Sequence, residues 1–270
     1  MIKIAKIIND KYYTSPELAE YCVRKTEEII GKENITEYLE PSAGSGVFLD
    51  YLNKPYLAYD IEPEDNRIQK QDYLTLDLEY KQGRCVIGNP PFGEGTRLSN
   101  RFCKKSFKNS DFVAMILPIC QLNNSIELYE FNLIYSEDLG IKQYSNRNIH
   151  CCFNIYKIPE NGFNKKSNYK LKDIEIKECR KSRNQFLPKG FDYDIGFCKW
   201  GSVGKEIIKG DEGKYQQEMY IKCYNSQFRN KVIDIIRNNN WNDFILSNNS
   251  PTVSQWQIYK YIKEQIPEIQ

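Results

Sequence analysis

The chain of 270 residues has a mass of 31.9 kDa; 40% of its residues are hydrophobic and 27% are charged, so it can bury a core and is not of the intrinsically disordered class. No apolar run approaches the about 18 residues of a membrane-spanning helix, and lysines interrupt the short apolar stretch at the N-terminus, so we expect neither a membrane segment nor a signal peptide. Nine cysteines without a C-x-x-C pair argue against secretion and against a zinc knuckle. We therefore expect a cytoplasmic protein with reduced thiols and no metal centre.

The net charge of +2 conceals an uneven distribution along the chain. Residues 1–140 contain 16 lysines and arginines against 22 acidic residues, whereas residues 141–270 contain 22 against 14. A basic second half is typical of a polyanion-binding surface, and equally typical of a solvated lysine-rich surface. Charge alone does not decide between these two interpretations.

The first half of the chain alternates helix-like segments with short segments that are apolar on both faces, as buried parallel strands are. Ser15, Pro16 and Glu17 indicate the start of a helix that ends near Ile30, before Gly31. The predicted strands are residues 35–39, 56–60, 84–87 and 112–117, and the further predicted helices are residues 46–53 and 98–107. This alternation predicts an open α/β sheet with its functional sites at the carboxyl ends of the strands.

The pattern changes after about residue 158. Residues 164–189 contain nine basic and three acidic side chains, and residues 226–237 and 254–265 are predicted to be helices. Turns are predicted at the glycines that follow the basic stretch, namely Gly196, Gly201, Gly204, Gly210 and Gly213. We therefore predict a larger α/β domain at residues 1–160 and a smaller basic region at residues 161–270.

A glycine-rich loop, Glu40 to Gly46, follows the first predicted strand. Glycines in such a loop allow positive φ and let a ligand approach the backbone closely. The next strand ends at Asp60, whose carboxylate would lie beside the same pocket and could accept hydrogen bonds from both hydroxyls of a ribose. The loop lacks the Lys-Ser/Thr ending of a phosphate-binding loop, so an uncharged nucleoside fits better than a polyphosphate.

The segment Asn89-Pro90-Pro91-Phe92 follows the third predicted strand directly. Its two prolines remove backbone donors and fix φ, which makes a rigid turn with carbonyl groups that face outward. The amide oxygen of Asn89 and a neighbouring carbonyl would form two acceptors for one exocyclic amine of an aromatic base. Phe92 offers a flat surface for a stacked base, although a turn followed by a core phenylalanine is the alternative.

Five segments, taken in order, resemble the motifs of S-adenosylmethionine-dependent DNA adenine-N6 methyltransferases of the gamma group. These segments are Tyr12–Pro16, Leu39–Gly46, Asp60–Pro63, Asp72–Leu74 and Asn89–Phe92. The resemblance covers about residues 12–120 and implies a Rossmann-like methyltransferase sheet, followed by a target-recognition region at residues 161–270. It also implies S-adenosylmethionine as the cofactor, DNA as the partner, and base flipping to expose the adenine.

The resemblance assigns roles to particular residues. Those implied to bind the cofactor are Tyr12, Tyr13, Thr14 and Pro16 over its methionine end, Glu40, Ser42, Ala43 and Gly44 in the loop beneath it, Asp60 at the ribose, Ile61 at the adenine face, and Asp72 with Tyr73 at the adenine amino edge. The implied catalytic residues are Asn89 and the Pro90 carbonyl, which bind the target amine, and Phe92, which stacks on the target base.

Further residues are candidates for contacts to the nucleic acid. Phe153 is a candidate for a second aromatic ring on the flipped base, although its apolar strand makes a core position at least as plausible. The basic stretch offers candidate contacts to the DNA backbone, which are Lys165, Lys166, Lys181 and Arg183.

Several activities remain open from the sequence. RNA adenine methylation uses the same tetrapeptide, and glutamine methylation in proteins uses a near-identical turn. A methyltransferase homologue that has lost activity and only binds nucleic acid is the non-enzymatic alternative. Cytosine C5 methylation is disfavoured because it needs a cysteine after proline, and the chain has no Pro-Cys pair. The sequence also leaves open whether a restriction endonuclease is a partner, as in a restriction-modification system.

Overall fold

A computed structural model describes residues 13–93, 96–123, 128–144, 147–166, 168–244 and 252–270. The chain divides into two compact units, residues 1–167 and residues 168–270. The boundary thus lies a few residues beyond the predicted position at 160. No helix among the described residues is long and apolar enough to cross a membrane.

The first unit contains a seven-stranded sheet. Its strands are β1 (Glu37–Glu40), β2 (Tyr56–Asp60), β3 (Gln69–Lys70), β4 (Arg84–Gly88), β5 (Phe112–Pro118), β6 (Asn132–Tyr144) and β7 (Arg147–Lys157). Their order across the sheet is β3-β2-β1-β4-β5-β7-β6. Strands β1 to β5 are parallel to one another, and β7 is antiparallel to both of its neighbours. The predicted α/β class with a Rossmann-like sheet is therefore confirmed.

The order of the strands reverses between β1 and β4. From β1 the chain proceeds outward through β2 and β3, then returns to place β4 on the other side of β1. In open α/β sheets, ligands bind outside the carboxyl ends of the strands at such a switch point. The loops that follow β1, β2 and β4 therefore lie where a ligand site is expected.

Two helices of the first unit were predicted well, and a third was not. Helix α1 spans Pro16–Ile30, with the Ser15 side chain accepting a hydrogen bond from the Leu18 backbone, and α2 spans Arg97–Ser106. The predicted helix at residues 46–53 is wrong: it consists of turns and a short 3₁₀ segment, Leu49–Tyr51. The predicted helix would begin at Gly46, whose φ is 79° and therefore not helical. The few residues that remain are too short a segment to offset the cost of nucleating an α-helix.

The second unit is built on a separate, antiparallel sheet. Its strands are β8 (Ile174–Arg180), β9 (Ile195–Cys198), β10 (Glu206–Ile207) and β11 (Gln217–Cys223), in the order β10-β9-β11-β8. Helices α3 (Ser226–Arg237) and α4 (Gln255–Gln265) lie where the sequence predicts helices, and they contribute apolar side chains to the core of the unit. The prediction of a turn at Gly196 is wrong, because Gly196 lies in β9, where a Cβ atom would be only 2.7 Å from the Tyr220 ring.

A buried ion pair joins β1 to β4 at the end of the sheet opposite the switch-point loops. Arg84 Nε donates to Glu37 Oε2 at 2.6 Å, and the two residues are register partners in adjacent strands. Arg84 also donates to the backbone oxygens of Glu79 and Asn109. Lys81 Nζ reaches the other oxygen of Glu37 at 2.7 Å, but its side chain is 47% exposed.

We expect Glu37→Gln to destabilise the protein by about 3–5 kcal/mol, because it leaves the buried Arg84 charge without its counter-ion. Lys81→Met is the matched control, since it removes the exposed partner of the same carboxylate and should cost no more than about 1 kcal/mol. Urea unfolding of the three proteins measures the difference. Equal losses in the two variants would show that the buried pair does not hold β1 and β4 together.

Candidate functional site

A cavity of about 290 Å³ lies among the residues that follow β1, β2 and β4. Eight of the residues singled out in the sequence line it, namely Tyr13, Ser42, Gly44, Asp60, Ile61, Asp72, Tyr73 and Asn89. The cavity thus brings together side chains that are separated by up to 76 positions, from Tyr13 before α1 to Asn89 after β4. Among the described residues, no group of three or more His, Cys, Asp or Glu side chains is placed to hold a metal ion.

The carboxylate of Asp60 ties two of these loops together. Its Oδ2 accepts the backbone N–H of Gly44 and its Oδ1 accepts that of Glu62, both at 2.8 Å. Gly44 has φ of 52°, so a residue without a side chain suits this position. Because each carboxylate oxygen has a further lone pair, Asp60 can still accept hydrogen bonds from a ligand in the cavity that it lines.

Glu40 lies at the end of β1 and is only 2% exposed. Burial raises the pKa of its carboxyl well above the ordinary value, and the nearby Asp60 charge raises it further, although Arg67 acts in the opposite direction. Its Oε2 and the Oγ of Ser42 are buried and accept or donate no hydrogen bond among the described residues. Of these two residues only Ser42 lines the cavity, where a ligand could supply a hydrogen-bond partner for its hydroxyl.

The side chain of Asn89 is oriented by the segment that precedes α1. Its Nδ2 donates to Thr14 Oγ1 at 3.2 Å, and Thr14 is 9% exposed. The donor end of the amide thus faces Thr14, and Oδ1 is its acceptor end. The sequence assigned Thr14 to the cofactor, whereas the structure joins it to Asn89.

Tyr13 closes part of the cavity from the same segment. Its ring lines the cavity, and its hydroxyl donates to Glu64 Oε1 at 2.6 Å. The backbone N–H of Glu64 in turn donates to the oxygen of Gly44 at 3.0 Å. The chain before α1 is thus connected to the loops after β1 and β2.

Helix α2 supplies an apolar wall that sequence reasoning missed. Leu98, Arg101 and Phe102 of this helix line the cavity. Ile61, which is 49% exposed, lines it as well. Leu98 and Phe102 are four residues apart and so share one face of the helix. Two apolar residues four positions apart, directly after the loop that follows β4, are the sequence signal that could have predicted this wall.

Tyr73 lines the cavity, and its hydroxyl is bound inside the first unit. Its hydroxyl donates to Ser106 Oγ at 3.1 Å inside the unit, and its ring stacks with Phe102 at a centroid distance of 5.9 Å. The Asp72 carboxylate accepts the backbone N–H of Leu74 at 2.9 Å. The Tyr73 hydroxyl is thus engaged in the core, and the expected role of Asp72 and Tyr73 at an adenine amino edge stays a prediction.

Two aromatic residues expected to contact a target base are buried. Phe153 is fully buried in β7, where it pairs with Ile116 of β5; this favours the core position that the sequence offered as the alternative, and a role at a flipped base stays a prediction. Phe92 is 6% exposed and packs in the core cluster of the first unit. Stacking of Phe92 on a base would require its ring to turn outward, and this role stays a prediction.

The remaining predicted residues lie around the cavity or outside the described part. Ala43 packs with Leu49, Ala58 and Ile68 beneath the glycine-rich loop. Pro90 is buried in the turn after β4, and Pro16 is exposed as the first residue of α1. Tyr12 lies outside the described residues.

The four candidate DNA-backbone residues are divided between the two units. Lys165 and Lys166 are exposed in the first unit, whereas Lys181 and Arg183 belong to a short 3₁₀ segment after β8 in the second. Residues 168–270 contain 17 basic and 13 acidic residues, a net charge of +4. Half of the basic excess of residues 141–270 thus belongs to residues 141–167.

Comparisons with known proteins find similar folds only. No protein-family profile and no curated protein sequence matches the chain. A Pyrococcus horikoshii protein described as a candidate RNA methyltransferase is 16% identical, with a TM-score of 0.45 over 58% of this chain and 91% of its own. The 23S rRNA methyltransferase ErmE is 11% identical, with a TM-score of 0.42 over 57% of this chain and 72% of its own. The M protein of the type I restriction enzyme EcoKI is 13% identical, with a TM-score of 0.36 over 57% and 46%. At these values the similarities carry no argument about function, which rests on the site itself.

We expect Glu40→Gln to stabilise the protein relative to wild type at neutral pH. The raised pKa of Glu40 means that its ionisation opposes folding, so the two proteins should be equally stable at low pH, where the carboxyl is protonated in both states. As the pH rises above the unfolded-state pKa, wild type should lose about 1.4 kcal/mol per pH unit relative to the variant until the folded-state pKa is reached.

Glu37→Gln provides the contrast. Burial alone would raise the pKa of Glu37, but hydrogen bonds from Lys81 and Arg84 lower it overall. The advantage of wild type over this variant should therefore be present above the ordinary pKa and be lost as the pH falls. Urea unfolding as a function of pH tests both signs, and a pH-independent effect of Glu40→Gln would contradict the burial of an isolated carboxyl.

Proposed function

We propose that this chain transfers a methyl group from S-adenosylmethionine to the exocyclic N6 amine of adenine in DNA. The observation that carries the proposal is that Asp60 and Asn89 line one cavity. Asp60 ends β2 and Asn89 follows β4, and these two strands lie on either side of β1. A carboxylate suited to ribose hydroxyls and an amide acceptor suited to an amine thus face the same space. The ordered motif resemblance supports this assignment of the two groups.

The residues around the cavity fit S-adenosylmethionine. Asp60 would hold its ribose, and the buried Ser42 Oγ and the loop at Gly44 would contact its polar groups. Ile61, Leu98 and Phe102 give a partly exposed apolar surface that suits an adenine ring. When bound, the cofactor supplies an electrophilic methyl group on a sulfonium.

Asn89 and Pro90 would act on the acceptor amine. The lone pair of an exocyclic amine is delocalised into the aromatic ring, so the nitrogen is a poor nucleophile. Hydrogen bonds from the amine to Asn89 Oδ1 and to the Pro90 carbonyl would draw the nitrogen towards tetrahedral geometry. Because Thr14 holds the Asn89 amide in place, the acceptor is preorganised and needs little rearrangement.

A general base is not required, because the surplus proton can leave the nitrogen after the methyl group has been transferred. The only histidine, His150, lies on β7 and contacts Asp138 at 2.6 Å. We assign it no role in the reaction. Catalysis would come from positioning and preorganised hydrogen bonds.

The proposal of DNA as the acceptor rests on the motif resemblance and on the basic residues beyond position 140. An adenine in a duplex cannot reach an enclosed site, so base flipping is implied for a duplex substrate.

The direct test incubates the protein with radiolabelled S-adenosylmethionine and DNA, RNA or protein acceptors in parallel. We expect label in DNA, recovered as N6-methyladenine after digestion to nucleosides. Label only in RNA or only in protein glutamine would show that DNA is not the acceptor. Binding of the cofactor without transfer to any acceptor would indicate an inactive homologue.

We expect Asp60→Asn and Asn89→Ala to separate binding from turnover. Loss of the ribose contacts of Asp60 should weaken cofactor binding by roughly 1.5–3 kcal/mol, since bonds to a charged acceptor are lost. Asn89→Ala should leave cofactor affinity nearly unchanged and lower turnover by about a hundredfold or more. Calorimetry and initial-rate assays measure the two effects.

Asn148→Ala is the control for the second variant, because Asn148 is exposed on β7 and far from these loops in the sheet. It should change neither quantity. Unchanged cofactor affinity in Asp60→Asn, or near-normal turnover in Asn89→Ala, would remove that residue from the site.

A further inference from the structure

The second unit contains a smaller cavity of about 160 Å³, between the turn that follows β8 and the segment that precedes β11. A single water needs about 10–15 Å³ of such space, so the cavity has room for about 11–16 water-sized groups, which is the size of one nucleobase rather than of a whole nucleotide. The side chains that matter here are Phe186, Leu187 and Tyr215, which are apolar, and Lys181, Gln185 and Gln216, which are polar. All of these residues belong to the second unit.

Phe186 presents an exposed aromatic ring beside this cavity. It is 64% exposed, although the turn that carries it is held by backbone hydrogen bonds. Arg180 and Gln185 exchange backbone bonds at 2.9 and 3.0 Å, and the Lys181 N–H donates to the Gln216 oxygen at 3.0 Å. The ring is thus displayed on a fixed turn, which lowers the entropic cost of stacking against a ligand.

Two side-chain amides at the cavity can form hydrogen bonds with a ligand. The side-chain amides of Gln185 and Gln216 make no hydrogen bond with any described residue. The two carboxylates at the cavity are engaged by the protein: Glu218 accepts the N–H groups of Gly213 and Tyr215, and Glu212 accepts the Tyr193 hydroxyl. Amides that can both donate and accept suit the edge of a nucleobase.

Basic side chains occur in and next to the same turn. Lys181 lines the cavity. Arg183 and Lys189 are close to it in the sequence, and both are exposed. Arg183 and Lys189 form no salt bridge with the described residues, unlike Arg180, which pairs with Glu178. A ring-sized cavity, an exposed aromatic ring and uncompensated cations together match a single base on a phosphate backbone.

We propose that this cavity binds one unstacked base of the DNA acceptor. The base stacks on Phe186 and meets Gln185 and Gln216 at its edge, while Lys181 and Arg183 contact flanking phosphates. The site is distinct from the cavity that contains Asn89, and it rests on the proposed function for the identity of the acceptor. It assigns to the second unit a specific contact with the nucleic acid.

The test measures binding of a fluorescently labelled, mixed-sequence DNA oligonucleotide by anisotropy, in single-stranded and duplex form. Phe186→Ala should weaken binding by about five- to 150-fold, the range expected when one base stack is lost. Phe186→Tyr should retain the affinity, whereas Phe186→Leu should not, because the flat ring rather than apolar area is required. Ile208→Ala is the matched control, since Ile208 is 73% exposed in the same unit and does not line the cavity.

Parallel methylation assays separate this proposal from the proposed function. We expect Phe186→Ala to raise the KM for DNA and to leave kcat and cofactor affinity unchanged. If wild type methylates adenine while Phe186→Ala binds DNA as Ile208→Ala does, the base site is overturned and the function stands. If wild type binds DNA through Phe186 but transfers no methyl group, the function fails and the base site stands. Absence of DNA binding by wild type would overturn both.

Discussion

The hydrogen bonds of Asp60 to the backbones of Gly44 and Glu62 hold the proposed active site together. They join the loop after β1 to the turn after β2, at the point where the strand order reverses. Because both oxygens accept from main-chain donors, the carboxylate is fixed before any ligand enters. A preorganised acceptor loses less free energy on binding than one that must be ordered. The position of Asn89 beyond β4 then depends on the same parallel pairing, since β1 lies between β2 and β4.

This arrangement places two buried acidic side chains, Asp60 and Glu40, close together. Asp60 satisfies its charge with backbone donors, whereas Glu40 is buried with one oxygen unsatisfied among the described residues. Such a group opposes folding when it is ionised, and natural proteins retain strained or costly groups mostly at functional sites. Glu40 thus lies directly beneath the loop whose Ser42 and Gly44 line the cavity.

Local signals predicted the elements that build the cavity. Short runs apolar on both faces located β1, β2, β4 and β5 to within about two residues, and motif order brought Asp60 and Asn89 together. Burial of Phe153 could not be predicted, because an aromatic residue on an apolar strand can serve the core or a ligand. The Leu98 and Phe102 wall was missed because α2 looked like an ordinary connecting helix. The strands of the second unit were missed because polar and charged residues interrupt their apolar pattern.

One cavity is proposed to bind the cofactor and to present the acceptor amine to Asn89, and the structure of the protein with bound S-adenosylhomocysteine is the decisive measurement. We expect the ribose hydroxyls at Asp60, the adenine ring between Ile61 and the Leu98 and Phe102 face, and the sulfur facing Asn89. A ligand bound away from Asp60, or one whose sulfur faces away from Asn89, would show that this cavity does not bring the cofactor and the acceptor together.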